Sequence, residues 1–511
     1  MTDWTSGYVA DIGYTFGYYK ESNPQHLRLA FLNAGLTFPE IGTACELGFG
    51  QGVSANCHAA GSVTQWFGTD FNPAQADFAQ ELATHSGAAV QLFDNSFAEF
   101  NAREDLPDFD YICLHGIWSW ISDENRTEIV DFVRRKLKVG GVLYISYNTQ
   151  PGWATMLPMR ELFVEHAQIM GATGHGMVNR VNTALAFAEQ LFSTNPAYLR
   201  ANPQLAERLK TITGQDRHYL AHEYFNRDWQ PMSFAKMAVW LASAKLNFAC
   251  SAHYQDHIEQ LHLSTEQQKL LHDIPDPLFK ETVRDFCVNQ QFRRDYWVKG
   301  ARTLNHVEQA AALRAHRLLL IQHRADVSLT INCNQGQVAM QEPIYAPILD
   351  ALANHKPQTI GQLEQAIKSH GITFPQLLQA VVILTDTGAL AAVQSDAVIE
   401  QAKTQTDKLN HHLCTKARDM RELNYLASPV TGGGIMLTRF PQLFLLALTE
   451  GNTQPQEWAK FVWDILSAQG QRIVKEGEKL STEAENIAEL NRQAIIFDEQ
   501  QLPILRALAI A

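Results

Sequence analysis

Ala44-Cys45-Glu46-Leu47-Gly48-Phe49-Gly50-Gln51-Gly52 decides the fold. It reads as the end of a buried strand, a glycine turn and the entry to a helix. Glycines let a ligand approach the backbone, and a helix N-terminus presents unpaired N–H groups. A dinucleotide fingerprint would read G-x-G-x-x-G with an acid about twenty positions further on. Here Val53 stands where its third glycine belongs, and the acid, Glu46, comes before Gly48, Gly50 and Gly52. The next apolar run, Gln65-Trp66-Phe67-Gly68-Thr69, ends on Asp70, which suits a carboxylate accepting from two ribose hydroxyls.

The E-x-G-x-G-x-G form resembles motif I of class I methyltransferases that use S-adenosylmethionine. The resemblance implies that Glu46 and the glycine backbone hold the methionine part, and that Asp70, with Phe71 beside it, holds the ribose. In that family an acid after strand three bonds the adenine amine and an apolar neighbour packs on the ring. The matching positions here are Asp94, Ser96 and Phe97. Phe49 departs from the cysteine or serine commoner in the motif, which leaves binding through backbone intact. Leu137-Lys138-Val139-Gly140-Gly141-Val142-Leu143 matches another hallmark of the family.

Strand four is expected over 109–114 and strand five over 142–146, with Asp123 capping the helix between them. Their carboxyl ends run into His115-Gly116-Ile117-Trp118-Ser119-Trp120 and Tyr147-Asn148-Thr149-Gln150-Pro151-Gly152-Trp153. Ligands of doubly wound sheets sit at such ends. The Asn/Asp-Pro-Pro-Tyr/Phe phrase of enzymes that methylate planar nitrogens is absent, which argues against adenine or glutamine as acceptor. An imidazole and two indoles stand there instead, a setting that favours an amine. His115, Trp118, Tyr147, Asn148 and Trp153 are the candidate substrate-side residues, and His115 also borders the cofactor.

Ahead of the turn, Tyr8, Tyr14, Phe16, Tyr18 and Tyr19 read as packing on the sheet edge or as a lid. Asn23-Pro24 starts a helix and Asn72 caps another. Residues 154–213 read as helices inserted after strand five, 218–225 as strand-like, and 246–251 as the final strand. His218, His222 and Glu223 form H-x-x-x-H-E rather than the zincin H-E-x-x-H, so no metal site is expected. Glu223 and His222 remain candidate bases. Beyond 255 the chain reads as mostly helical, and the basic, aromatic 292–304 as a solvated helix face. Three helices and a β-like segment over 344–393 resemble a winged helix. Its third helix, 375–385, has no Lys or Arg, which points to protein contact or a homodimer through the C-terminal domains. Gly432-Gly433-Gly434 reads as a hinge, and the apolar 502–510 as packing on a domain or a partner.

The expected architecture is α/β. A doubly wound, seven-stranded methyltransferase domain covers 1–255, with a helical insertion at about 154–215. A helical regulatory domain (256–330), a winged-helix-like domain (331–398) and a C-terminal helical domain (399–511) follow. Net charge is −13, against a broad grip on nucleic acid. The seven scattered cysteines, with no C-x-x-C pair, suit a reducing cytoplasm. No signal pattern or membrane span is evident.

Motif I, the phrases at Gly68–Pro73, His115–Ser119, Lys138–Gly141 and Ser146–Trp153, then His222-Glu223-Tyr224 and Phe292-Arg293-Arg294-Asp295, together resemble bacterial class I methyltransferases with a methyltransferase regulatory domain. The likeness is nearest to the rickettsial-type protein-lysine methyltransferases. It implies methyl transfer to lysine amines of protein. Two other readings stand: a methyltransferase on a small molecule, glycan or lipid, and a non-catalytic cofactor-binding regulator.

Overall fold

The structure, a computed structural model, describes residues 15–171 and 176–511. Tyr8 and Tyr14 lie outside the described residues. The core runs α1 (Pro24–Asn33), β1 (Thr43–Leu47), α2 (Val53–Gly61), β2 (Gln65–Thr69), α3 (Pro73–Ser86), β3 (Val90–Phe93), α4 (Phe97–Asn101), β4 (Phe109–Leu114), α5 (Asp123–Lys136) and β5 (Leu137–Asn148). Helices α6 (Leu157–Ile169), α7 (Met177–Ser193), α8 (Ala197–Ala201), α9 (Gln204–Thr213) and α10 (Arg217–Tyr224) follow. Then come α11 (Phe234–Ala242), β6 (Asn247–Ser251), α12 (Thr265–His272), α13 (Pro277–Val288) and β7 (Phe292–Val298). Seven strands form one sheet in the order β3-β2-β1-β4-β5-β7-β6.

Strands β1 to β5 are parallel, and their near-continuous burial reflects cover on both faces. Asn72 caps α3 by accepting from the Ala74 N–H, with Pro73 in the first turn. The cap of α5 is Ser122, not Asp123; its hydroxyl accepts from Asn125, and Asp123 is the first helical residue. The insertion α6–α10 has its own core, built from Trp153, Met159, Phe163, Leu185, Leu209 and Leu220 among others.

Four expectations fail. Residues 218–225 are not a strand but most of α10. Asp216 accepts from the His218 and Tyr219 N–H groups, and Leu220, Ala221 and Tyr224 share one buried face. Residues 292–298 are not a solvated helix but β7, antiparallel between β5 and β6. Its charges are neutralised inside the fold. Arg293 meets Glu281, Asp285 and Asp295 at 2.8, 2.6 and 3.0 Å, and Arg294 meets Glu21 at 2.8 Å. The sheet therefore closes at Val298, past the boundary expected at 255.

Last, the triple glycine is not a hinge. Tyr425–Ser428 and Gly433–Met436 pair as an antiparallel hairpin. Its glycines let it lie against α2, where a Cβ on Gly61 would meet the Gly432 carbonyl carbon at 3.0 Å. The helix Asp396–Lys416 packs beside it, and Thr406 donates to the Ala60 carbonyl at 2.6 Å. Leu502 and Leu505 are buried in a core that also takes in Val53, Cys57 and Ala60 of α2. The three expected helices of the preceding module are Glu342–Leu352, Ile360–Ala366 and Phe374–Asp386, packed with a sheet of Gln358–Thr359, Arg317–Leu320 and Leu390–Ala392.

Candidate active site

The glycine turn opens into a cavity at the carboxyl ends of the parallel strands. Gly48, Gly50 and Gly52 all have positive φ, 73°, 56° and 68°, as the turn requires. A Cβ on Gly48 would strike Ile117 at 2.5 Å, and one on Gly52 would strike Ala79 of α3. Asp70 closes the turn from β2. Its carboxylate accepts from the Gly50 N–H at 2.9 Å and the Asn72 N–H at 3.0 Å. Beneath the turn, Glu46 is buried and its Oε2 has no hydrogen-bond partner among the described residues. Burial, reinforced by Asp70, lifts its pKa to about 8. Burial lifts Asp70 to about 6, against the two backbone N–H bonds, which lower it.

Of the residues expected at the cofactor, Gly48, Gly50, Asp70, Phe71, Ser96, Phe97 and His115 line this cavity. Glu46 lies just below it, and Gly52 serves the start of α2. Asp94 is exposed and does not line it. The residue at that level is Asn95, whose carbonyl accepts from the Thr69 hydroxyl and whose side chain accepts from Arg103 at 3.3 Å. Ser96 caps α4 in a reciprocal arrangement with Glu99.

The candidate substrate-side residues separate. His115 lines the cavity, its Nδ1 2.8 Å from the Tyr144 hydroxyl and its ring stacked 3.8 Å from that of Tyr19. Burial holds its pKa down to about 4, so the ring is neutral at pH 7. Trp118 is fully buried in the core, edge-on to Trp240, and is not a pocket wall. Tyr147 is also core, its hydroxyl donating to Asp295 at 2.8 Å. Trp153 belongs to the insertion core, with Arg208 4.3 Å over its ring. Asn148 ends β5, and Glu223 of α10 is lifted to about 7 by burial, with Arg208 and Asn148 lowering it.

Sequence reasoning counted Trp120 as one of two indoles without naming it a site residue, and missed Ile121, Asn125 and Asp228; all four line the cavity. Trp120 was visible in the same phrase as Trp118. Which indole faces in is set by a short 3-10 turn, Trp118–Trp120, and by Arg126, which donates to the Trp118 carbonyl at 3.1 Å. Asp228 carried no signal, because a loop after the insertion delivers it. Its carboxylate pairs with Arg227 at 3.0 Å.

This donor set suits a cationic nucleoside cofactor. It offers a buried carboxylate oxygen without a partner, a second carboxylate at the end of β2, and a glycine backbone that leaves room. Comparison with known proteins agrees. A family described as "Methyltransferase domain" matches residues 44–141, and one described as "Predicted methyltransferase regulatory domain" matches 216–299. The uncharacterized protein sll1526 of Synechocystis is 41% identical over 513 residues, 99% of this chain and 100% of that one. The uncharacterized protein RP789 of Rickettsia prowazekii is 26% identical over 54% of this chain and 49% of its own length. The structure of PKMT2 from Rickettsia typhi in complex with AdoHcy superposes with a TM-score of 0.71 at 19% identity, covering 97% of this chain and 99% of that one. Among the described residues, no helix is long and apolar enough to cross a membrane.

Proposed function

The chain belongs to the S-adenosylmethionine-dependent class I methyltransferases that carry a methyltransferase regulatory domain, and on that premise we propose that its acceptor is the side-chain amine of lysine in protein. One observation carries this reading. The cavity that the glycine turn lines is lined as well by an indole and a carboxylate, Trp120 and Asp228. An aromatic face beside an anion suits a long aliphatic chain ending in a cation. The fold shared with the rickettsial protein over nearly the whole chain supports it, since the likeness extends to the insertion and the later domains.

S-adenosylmethionine supplies an electrophilic sulfonium methyl when bound. Glu46, Gly48 and Gly50 would hold its amino-acid end, Asp70 its ribose, and Asn95, Ser96 and Phe97 its adenine. Tyr19 and the neutral His115 exclude water from the same cavity. A lysine amine, ordinarily of pKa about 10.4, must lose its proton before it can attack. The apolar wall of Ile117, Trp120 and Ile121 favours the neutral amine by desolvation. Glu223 of α10, which meets Asn148 at the end of β5 and is not itself in the cavity lining, is poised at about 7 and is the proposed proton acceptor, so turnover falls as pH drops through that value. The cysteines are all free, which supports work in a reducing cytoplasm.

Incubation of a cell lysate with radiolabelled S-adenosylmethionine tests the reading. Label in protein, released by hydrolysis as methylated lysine, is expected. Label resistant to protease and carried by small molecules, glycan or lipid would overturn the lysine assignment. Asp228→Asn is expected to raise KM for the protein acceptor and leave cofactor binding unchanged.

A further inference from the structure

The segment Gly17-Tyr18-Tyr19-Lys20 runs between two cavities. Its backbone is extended at Tyr19 (φ −117°, ψ 103°), so successive side chains point to opposite sides. Gly17 and Tyr19 face the cofactor cavity. Tyr18 and Lys20 face a second cavity, walled also by the C-terminal hairpin.

Each side has its own anchors. On the cofactor side, the Tyr19 N–H donates to Ser54 Oγ at 3.0 Å, and its ring lies on His115. On the other side, Lys20 donates to the Asp386 carbonyl at 2.5 Å, and Asn23 to the Thr431 carbonyl at 3.2 Å. Tyr18 is the central contact. Its hydroxyl is 3.2 Å from His58 Nε2, and its ring is 5.4 Å from that of Tyr425 on the hairpin. The hairpin closes over this ring so tightly that only glycine fits. A Cβ on Gly434 would come within 2.7 Å of Tyr18 Cδ2, and one on Gly433 would strike the Tyr18 hydroxyl and the Asn23 amide.

We propose that the C-terminal hairpin is a positioning element of the methyl-transfer site: Gly433 and Gly434 seat Tyr18, and Tyr18 sets the strap that holds Tyr19 over His115 and the cofactor. The contact spans more than four hundred residues of sequence and joins the last domain to the first turn of the fold. It serves cofactor binding whatever the acceptor is. Tyr18, Gly433 and Gly434 touch no reacting atom and are positioning residues.

The full chain carrying Gly434→Ala tests this, with S-adenosylhomocysteine binding read by calorimetry. Affinity is expected to fall on the order of tenfold, about 1.4 kcal/mol, with KM for S-adenosylmethionine rising more than kcat falls. The loss should vanish in a Tyr19→Ala background, because the displaced strap then carries no ring over His115. Tyr18→Phe, which keeps the ring, should bind nearly as the natural chain does, and Tyr18→Ala should bind as weakly as Gly434→Ala. If Gly434→Ala does not fold, the same cycle is run with Tyr425→Leu, which removes the neighbouring ring without a clash. Unchanged affinity in a folded Gly434→Ala or Tyr425→Leu protein would overturn the proposal. An equal loss with and without Tyr19 would also overturn it.

Discussion

Two regions of the sheet bury carboxylates and treat them in opposite ways. At the ends of β1 and β2, Glu46 and Asp70 are 3% and 7% exposed, and no salt bridge reaches either among the described residues. Around β7, Glu281, Asp285 and Asp295 converge on the guanidinium of Arg293, which also lies 4.3 Å over the ring of Phe234. The first pair is held up in pKa with no cation beside it, and Glu46 keeps an open oxygen. The second set is tied to a cation within the fold. A buried carboxyl without a cation beside it is driven toward its neutral form, and a pKa raised in this way at an open cavity marks a place where a ligand supplies the counter-charge. A buried charge with its partner fixes the geometry of a strand between two others, and removing that partner is far worse than never having had it.

The sharpest way to break this contrast is Arg293→Leu. It leaves three carboxylates uncompensated beside β7, and a loss of about 3–5 kcal/mol in stability is expected. Thermal unfolding reads it, and a melting temperature equal to the natural chain's would mean that the network does not hold the sheet. Next comes Asp70→Ala, whose larger effect should be on binding. Losing the carboxylate that would accept from ribose lowers cofactor affinity on the order of 100-fold, and leaving the Gly50 and Asn72 N–H groups without their acceptor lowers stability as well. Calorimetry showing unchanged affinity would contradict the site.

Glu46→Gln sharpens the comparison through pH. A carboxyl lifted to about 8 must lose its proton to meet a cationic ligand, so affinity of the natural chain should rise with pH up to about that value and then level. The glutamine variant should bind on the order of tenfold more weakly at pH 8 and lose that slope. A slope that persists would assign it to another group. The smallest effect is expected at Asp285, whose Oδ2 has no partner and whose pKa burial lifts to about 7. The stability from its neutral form is present below its ordinary value of 3.8 and is lost as pH rises through about 7. Asp285→Asn should therefore flatten the alkaline decline of the melting temperature between those values.

The glycine turn was legible because its signal is local. Positive φ, a strand end and a helix entry are set within nine residues, and Asp70 follows by one strand. The parallel core from β1 to β5 was readable for the same reason, by length and apolar run. β7 was not. Arg293, Arg294 and Asp295 look solvated in a one-dimensional reading, since their partners Glu281, Asp285 and Glu21 lie up to hundreds of residues away. α10 was misread because Tyr219, Ala221 and Glu223 alternate with His218, Leu220 and His222, and a short segment of mixed polarity fits either period. In the site, Trp118 and Trp120 had equal claims; a short turn sent one into the core and the other into the cavity.

What the chain determines by sequence alone is thus the cofactor side of the protein: the sheet's first five strands, the turn of Glu46 to Gly52, and Asp70. These depend on backbone conformations and spacings that neighbouring residues impose. Tertiary structure alone decided which carboxylates are paired and which are open, which tryptophan lines the cavity, and where the last strand enters the sheet. It also decided that a hairpin near residue 430 backs the strap at Tyr18. Those outcomes rest on contacts between distant segments, and burial and charge pairing act only once the segments have met.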